Sequence, residues 1–171
     1  REIDEEIRTQ IKGNQDQIRE NRAVAIQLLR RGLALVTIDS DNELVNQTRQ
    51  FLSYLLYQQE QYRDAAVVGT FLTYNSPGSE MGLRGGLLAL NSLQLLLVEN
   101  PDNAAAMSQL ETLGEYLTKT WPDDPEAAAA QGVMVKLALR ADRWNESRKR
   151  IGQMPPGPER AYQSWGCCSR L

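Results

Sequence analysis

Apolar residues recur along the chain at helical spacing and never in sustained alternation with polar ones. The opening stretch carries Ile3, Ile7, Ile11 and Ile18 at intervals of four, four and seven, with Glu, Arg, Lys and Gln between them. This is a narrow apolar stripe on a mostly polar helix, continued by Val24, Ile26, Leu28, Leu29, Leu33, Leu35 and Val36. Such a stripe needs a partner surface, either the next helices of the same chain or a second chain, and the four early isoleucines are candidate self-association residues. Gly13 and Gly32 each cost about 1 kcal/mol relative to Ala inside a helix, so a break is expected near Gly13.

Turn clusters cut the remainder into helical hairpins at Thr37 to Asn42, Asn75 to Ser79, Asn100 to Asn103, Trp121 to Pro125 and Pro155 to Pro158. Ser40-Asp41-Asn42-Glu43 reads as a capping box with Ser40 as the cap. It opens a helix from about 42 to 59 with Val45, Phe51, Leu52, Leu55 and Leu56 inward. Further helices are predicted from Tyr62 to Asn75, from Ser79 to Glu99, and from Asn103 to Thr120, the last presenting Met107, Leu110, Leu113, Tyr116 and Leu117. Asp123-Asp124-Pro125-Glu126 places acids and a proline where a helix start favours them, and reads as a cap before a divalent-cation site. The expected fold class is all-α, with seven to eight helices.

Spacing within the hairpins repeats. Tyr62 is followed three residues later by Ala65 and twelve after that by Pro77; Trp144 is followed by Ser147, Ile151 and a turn ending at Pro158. Each unit is a helix, a short polar turn, an aromatic opening a second helix, a small residue one turn on, and a proline stop. At Ser53, Tyr62, Ala65 and Pro77, and again at Trp144, Ser147 and Ile151, the chain resembles the tetratricopeptide-repeat (TPR) family. Trp121-Pro122-Asp123-Asp124-Pro125-Glu126-Ala127 is similar to the turns of its bacterial cell-envelope members. The chain departs from the pattern at Gly69, where a large aromatic is usual, and at Glu60, where glycine is common. The Pro77-to-Pro122 interval is 45 residues, against a family period of about 34.

The resemblance implies a right-handed superhelical solenoid of antiparallel hairpins over 42–171, with 1–41 a helical segment packing on it or extending from it. It further implies a protein or peptide partner on a concave face made by the first helix of each unit, and a bacterial setting, cytoplasm or cell envelope. Pro158 to Leu171, with Ala161, Tyr162, Trp165 and Cys168 on one face, resembles the start of another unit, so either a longer array or an end capped by association is expected. Solenoids expose such a face for a physical reason: one hairpin cannot bury both its sides, and stacking leaves a curved surface. Opposite Leu52, Leu55 and Leu56, that surface would carry Gln47, Gln50, Tyr54, Tyr57 and Gln58, with Lys136 and Arg140 on the corresponding later helix. Tyrosine offers contact area at low rotamer cost and glutamine offers donors and acceptors; packing of the two tyrosines between repeats is the alternative.

Composition narrows the chemistry. The 171 residues are 42% hydrophobic and 24% charged, as in ordinary folded chains. Histidine is absent, which removes Ser-His-Asp and Cys-His nucleophile systems and histidine-ligated metals. No apolar stretch is expected to reach the 18 or so residues of a membrane span. Cys167 and Cys168 are adjacent and cannot staple a fold to itself. Gly82-Leu83-Arg84-Gly85-Gly86 lacks the spacing of a phosphate loop, and Glu111 with Glu115 reads as a solvated face before a catalytic dyad. Two Asn-x-Ser/Thr sequons, at Asn46 and Asn145, fall on helices.

Net charge is −3 but unevenly spread: +1 over 1–36, −9 over 37–135 and +5 over 136–171. Arg143, Arg148, Lys149 and Arg150 form a basic patch that could meet the acidic middle of another copy or an anionic partner. With no interleaved aromatics, nucleic acid is not expected. The expectation is a non-enzymatic protein-interaction scaffold without cofactor or metal. The alternative is a self-assembling structural protein; a helical enzyme or ligand-binding domain using acidic side chains is a remote third.

Overall fold

The computed structural model describes residues 2–140, 143–154, 156–157 and 160–164. Every regular element among the described residues is helical. They are α1 Glu2–Ala34, α2 Asn42–Gln58, α3 Tyr62–Asn75, α4 Glu80–Glu99, α5 Ala104–Thr120, α6 Pro125–Arg140 and α7 Trp144–Gln153. A further short helical segment covers 160–164. Trp165, Cys167 and Cys168 lie outside the described residues.

Side-chain caps explain most of the starts, since the first turn of a helix leaves backbone N–H groups without helical partners. The Ser79 hydroxyl accepts from Gly82 N–H at 2.9 Å, the Asn103 amide oxygen from Ala106 N–H at 3.0 Å, and Asp124 from Glu126 N–H at 2.8 Å. Asp124 therefore serves as a helix cap, with Pro125 in the first turn behind it. In α2 the cap is Asp41, which accepts from Glu43 N–H at 2.9 Å, and not Ser40. The Ser40 hydroxyl instead accepts from Thr37 N–H at 2.9 Å and closes the preceding turn.

The end of α2 is fixed by the backbone. Gln61 N–H bonds Leu56 C=O at 2.9 Å and Glu60 N–H bonds Tyr57 C=O at 3.0 Å, the paired bonds of a Schellman ending. Glu60 takes the left-handed position with φ of 62°, where glycine is the usual residue because it has no Cβ to clash.

Each helix from α2 onward packs on the next, and α2 also meets α4 as α4 meets α6. The α3–α4 pair is the closest. A Cβ placed on Gly69 would lie 2.5 Å from the Gly85 carbonyl oxygen, and one on Gly86 would lie 2.5 Å from Leu117 Cδ2. Small residues at these crossings let the backbones approach, and the buried Thr73 hydroxyl sits 2.9 Å from Gly69 C=O and 2.8 Å from Gly82 C=O. The buried Ser53 hydroxyl donates to Ala65 C=O at 3.0 Å across the first hairpin.

The main core joins Leu90, Leu93 and Leu97 of α4 to Leu110, Leu113 and Leu117 of α5, Trp121, and Met134 and Leu137 of α6. Contrary to the sequence expectation, α4 is long and apolar enough to cross a bilayer by length and composition, with a mean hydropathy of 1.4 over its best window. Half of that window is buried within the fold, because α2, α3, α5 and α6 all pack on α4.

Two expectations for the first helices fail. α1 is continuous through Gly13: the cost of one glycine is about 1 kcal/mol, which a long helix absorbs. Phe51 is 64% exposed rather than inward, because it sits on the α4 side of α2 while Val45, Leu52 and Leu56 occupy the buried stripe.

α1 divides in two. Ile26 is buried, and Leu29 and Leu33 pack with it against Leu52, Leu56 and Ala65. Arg22 donates to Gln58 C=O at 3.3 Å, Gln59 donates to Arg19 C=O at 2.9 Å, and Arg30 pairs with Asp64 at 2.6 Å. Residues 4–21 are exposed without interruption. Ile7, Ile11 and Ile18 each show about half their surface to solvent, and the Ile3 side chain lies outside the described ones.

Candidate protein-binding face

The candidate residues of α2 separate into two groups. Gln50 and Tyr54 line a groove of about 390 Å³ between α2 and α4, together with Phe51, Ser53, Arg84, Gly85 and Leu88. Tyr54 is 51% exposed. Gln47, one turn earlier, is exposed and its amide donates to Glu43 at 3.4 Å. Tyr57 lies three residues from Tyr54, which leaves it about 60° short of the same face. It turns toward α1 and α3, edge-on to Tyr62 with ring centres 5.7 Å apart, against the Ile26–Leu52–Leu56 cluster. Tyr57 is thus a packing residue. Gln58 belongs to a different groove, about 270 Å³, at the root of the free half of α1 with Gln15, Ile18, Arg19, Arg22, Gln59 and Glu60.

Lys136 is exposed and lines a smaller groove of about 60 Å³ between α4 and α6, with Gln94, Leu97, Val98, Val133 and Leu137. The Gln94 amide nitrogen is buried there without a hydrogen-bond partner among the described residues. The Arg140 side chain is not among those described. The α2–α4 and α4–α6 grooves flank α4 on either side of its exposed strip Arg84, Asn91 and Val98. Arg84 is held against Glu80 at 2.5 Å.

Phe51, Arg84, Leu88 and Gln94 belong to this surface, and sequence reasoning missed them. Phe51 had a legible signal, an aromatic three residues before Tyr54 and off the buried stripe. Arg84 and Leu88 had none, because only the approach of α4 to α2 brings them to the groove.

Two of the four residues of the basic patch, Arg143 and Arg150, are used inside the chain. Arg143 reaches Glu111 at 2.6 Å and Glu146 at 3.0 Å; Arg150 reaches Glu115 at 3.0 Å and Glu146 at 2.8 Å. Glu111 and Glu115 are therefore anchors by which α5 holds α7, and Arg148 and Lys149 remain exposed. The hydrogen bond from Arg150 holds the Glu146 carboxyl below the usual glutamate range, with Arg143 adding to it against the effect of burial. The bond to Glu111 likewise raises the Arg143 guanidinium above its ordinary value.

A further groove of about 320 Å³ lies between α3 and α5, lined by Ala66, Val67, Thr70, Tyr74, Ser108, Gln109 and Thr112. Beside it Tyr74 stacks edge-on with Tyr116 at 4.6 Å, and Tyr116 with Trp121 at 6.3 Å. None of these four grooves is lined by two carboxylates. Among the described residues no three His, Cys, Asp or Glu cluster as a metal site. No protein-family model matches the chain, and no curated protein or solved structure matches it.

Proposed function

We propose that the hairpins stack as a TPR-like right-handed solenoid and that the face made by α2, α4 and α6 binds an extended segment of a protein partner, without catalysis. The observation that carries this reading is the pair of grooves flanking α4. One offers exposed Phe51 and Tyr54 with Leu88; the other offers exposed Lys136 and Val98. The packing of α2 on α4 and of α4 on α6 supports stacking of the first helices of successive hairpins.

In this reading, apolar side chains of the partner seat against Phe51 and Tyr54. A carboxylate lies near Lys136. The segment crosses α4 obliquely, because the first groove is at its N-terminal half and the second at its C-terminal half.

The test is selection from a random peptide library on the intact chain. Enriched peptides are expected to carry an apolar pair and an acidic residue, and to lose at least about tenfold in affinity on the Phe51→Ser/Tyr54→Ser variant. Both side chains are exposed, so that variant should melt like the parent. Peptides that bind both proteins equally, or no enrichment at all, would count against the reading.

A further inference from the structure

Two apolar clusters divide α6 between them. Met134 and Leu137 belong to the main core with α4 and α5, whereas Val135 joins Ile151 and Met154 in a separate small cluster, with Leu139 and Trp144 beside it. The two clusters have no residue in common, so α7 is fastened to one side of α6 without entering the core of the body. Within α7 only Ser147 and Ile151 are buried, and the Ser147 hydroxyl has no hydrogen-bond partner among the described residues. By contrast, α3 buries Ala65, Ala66, Gly69, Leu72 and Thr73.

Charge supplies what the apolar contact lacks. With its cap, α7 carries Arg143, Arg148, Lys149 and Arg150 against the single carboxylate of Glu146, and it faces the acidic middle of the chain. Among the described residues, α6 packs closely along α7 and α5 does not; long side chains cross from α7 to α5, Arg143 to Glu111 and Arg150 to Glu115. Glu146 lies between the two arginines and bonds both. The links therefore form one network, the arrangement in which surface charges contribute measurably. Lys119 stands one turn past Glu115 on α5, beyond the last link, and is exposed. Solvent reaches the network, since the Arg143 side chain is 41% exposed and that of Glu115 65%. Dissolved ions screen such charges over about 10 Å at 0.1 M and about 3 Å at 1 M.

We propose that α7, together with the segment 160–164 whose Arg160 donates to Met154 C=O, is a salt-released strap. At high ionic strength it opens as a unit while α2 to α6 stay folded. Elements held by few apolar contacts open below the free energy of global unfolding, and screening of the α5–α7 network lowers this opening further. Opening bares Val135 and Leu139 on α6 and frees Glu111 and Glu115, an apolar strip with carboxylates beside it. The grooves flanking α4 stay in place, because they use Val133, Lys136 and Leu137 of α6. The inference is thus independent of the peptide-binding reading.

Amide hydrogen exchange of the intact chain, read by mass spectrometry at about 0.05 M and about 1 M sodium chloride, tests it. Peptides from 144–153 should exchange at least about tenfold faster at the higher salt, while those from α3 and α4 hold their rates. In Glu111→Gln/Glu115→Gln the α7 peptides should already be fast at low salt and respond little to more. Both side chains lie off the buried stripe of Leu110, Leu113 and Leu117, so the body of that variant should stay folded. Three results overturn the proposal: α7 exchanging together with α3 and α4 at both salts; α7 equally protected at both; or the parent's salt response persisting in the double variant.

Discussion

The free half of α1 and the α3–α4 pair both place glycine and aliphatic residues at helical spacing, to opposite effect. A side chain added at Gly13 would meet nothing within 4 Å, whereas one added at Gly69 would strike the backbone of the neighbouring helix at 2.5 Å. The aliphatic stripe of α1 leaves half its surface in water at Ile7, Ile11 and Ile18, while Leu72 and Leu90 are essentially sealed. One pattern therefore supports two roles, and the difference lies in what approaches the helix from elsewhere in the chain. A glycine is a packing residue only where a second backbone is close enough to need it.

Four variants would break or sharpen this contrast. The largest effect is expected at the centre: Gly69→Val should cost at least about 3 kcal/mol by denaturant melting, because the clash is with backbone that cannot rotate away. Its counterpart, Gly13→Ala, should add about 1 kcal/mol of local helix stability. That gain is read as slower amide exchange in the free half with the melting of the body unmoved. If the two variants changed global stability alike, the division of the molecule would be wrong.

A smaller effect is expected at the junction. Glu60 sits at φ of 62° in the ending of α2, and Glu60→Gly should stabilise the fold by about 1 kcal/mol through relief of the left-handed strain. A loss of stability would mean that the Glu60 side chain holds the root of α1 by contacts worth more than the strain.

The smallest effect concerns the clamp from α5 to α7. Since its side chains are partly exposed, Glu146→Gln should cost less than about 1 kcal/mol. The parent's pH profile carries the sign: the Glu146 carboxyl has a lowered pKa in the fold, so its contribution is complete above the ordinary value of 4.5 and is lost as pH falls through the lower folded value. In Glu146→Gln the stability difference from the parent should shrink over that acidic window. A difference that stayed constant with pH would assign the effect to packing.

Helix boundaries were legible because their causes are local. Ser79, Asn103 and Asp124 each bond a backbone N–H two or three residues away, and Pro125 cannot stand far inside a helix. The unusual Glu60 was visible too, as a residue out of place before its backbone angle was known. Facing was less legible. Phe51 lies about 100° of helical turn from Leu52, off the buried stripe, and only the position of α4 decides that it opens into a groove. Pairings across the chain were not legible at all: Arg143 and Glu111 are 32 residues apart, and nothing local distinguishes an arginine that finds a carboxylate from one that stays in water. The same reason limits the candidate face, where Gln50, Tyr54 and Lys136 were recognised on their own helices while Arg84, Leu88 and Gln94 gain meaning from a neighbour.

The apolar character of α4 also bears on the order in which the chain comes together. α4 packs against α2, α3, α5 and α6, so during synthesis it emerges with half of its partners already made and half still to come. Until α5 and α6 follow, Leu93, Leu97 and Leu90 face water on a helix of bilayer-like hydropathy. Transiently exposed surface of this kind is where nascent chains aggregate. The interval between release of α4 and docking of α6 is thus the vulnerable moment of folding, and elongation through residues 100–140 sets its length.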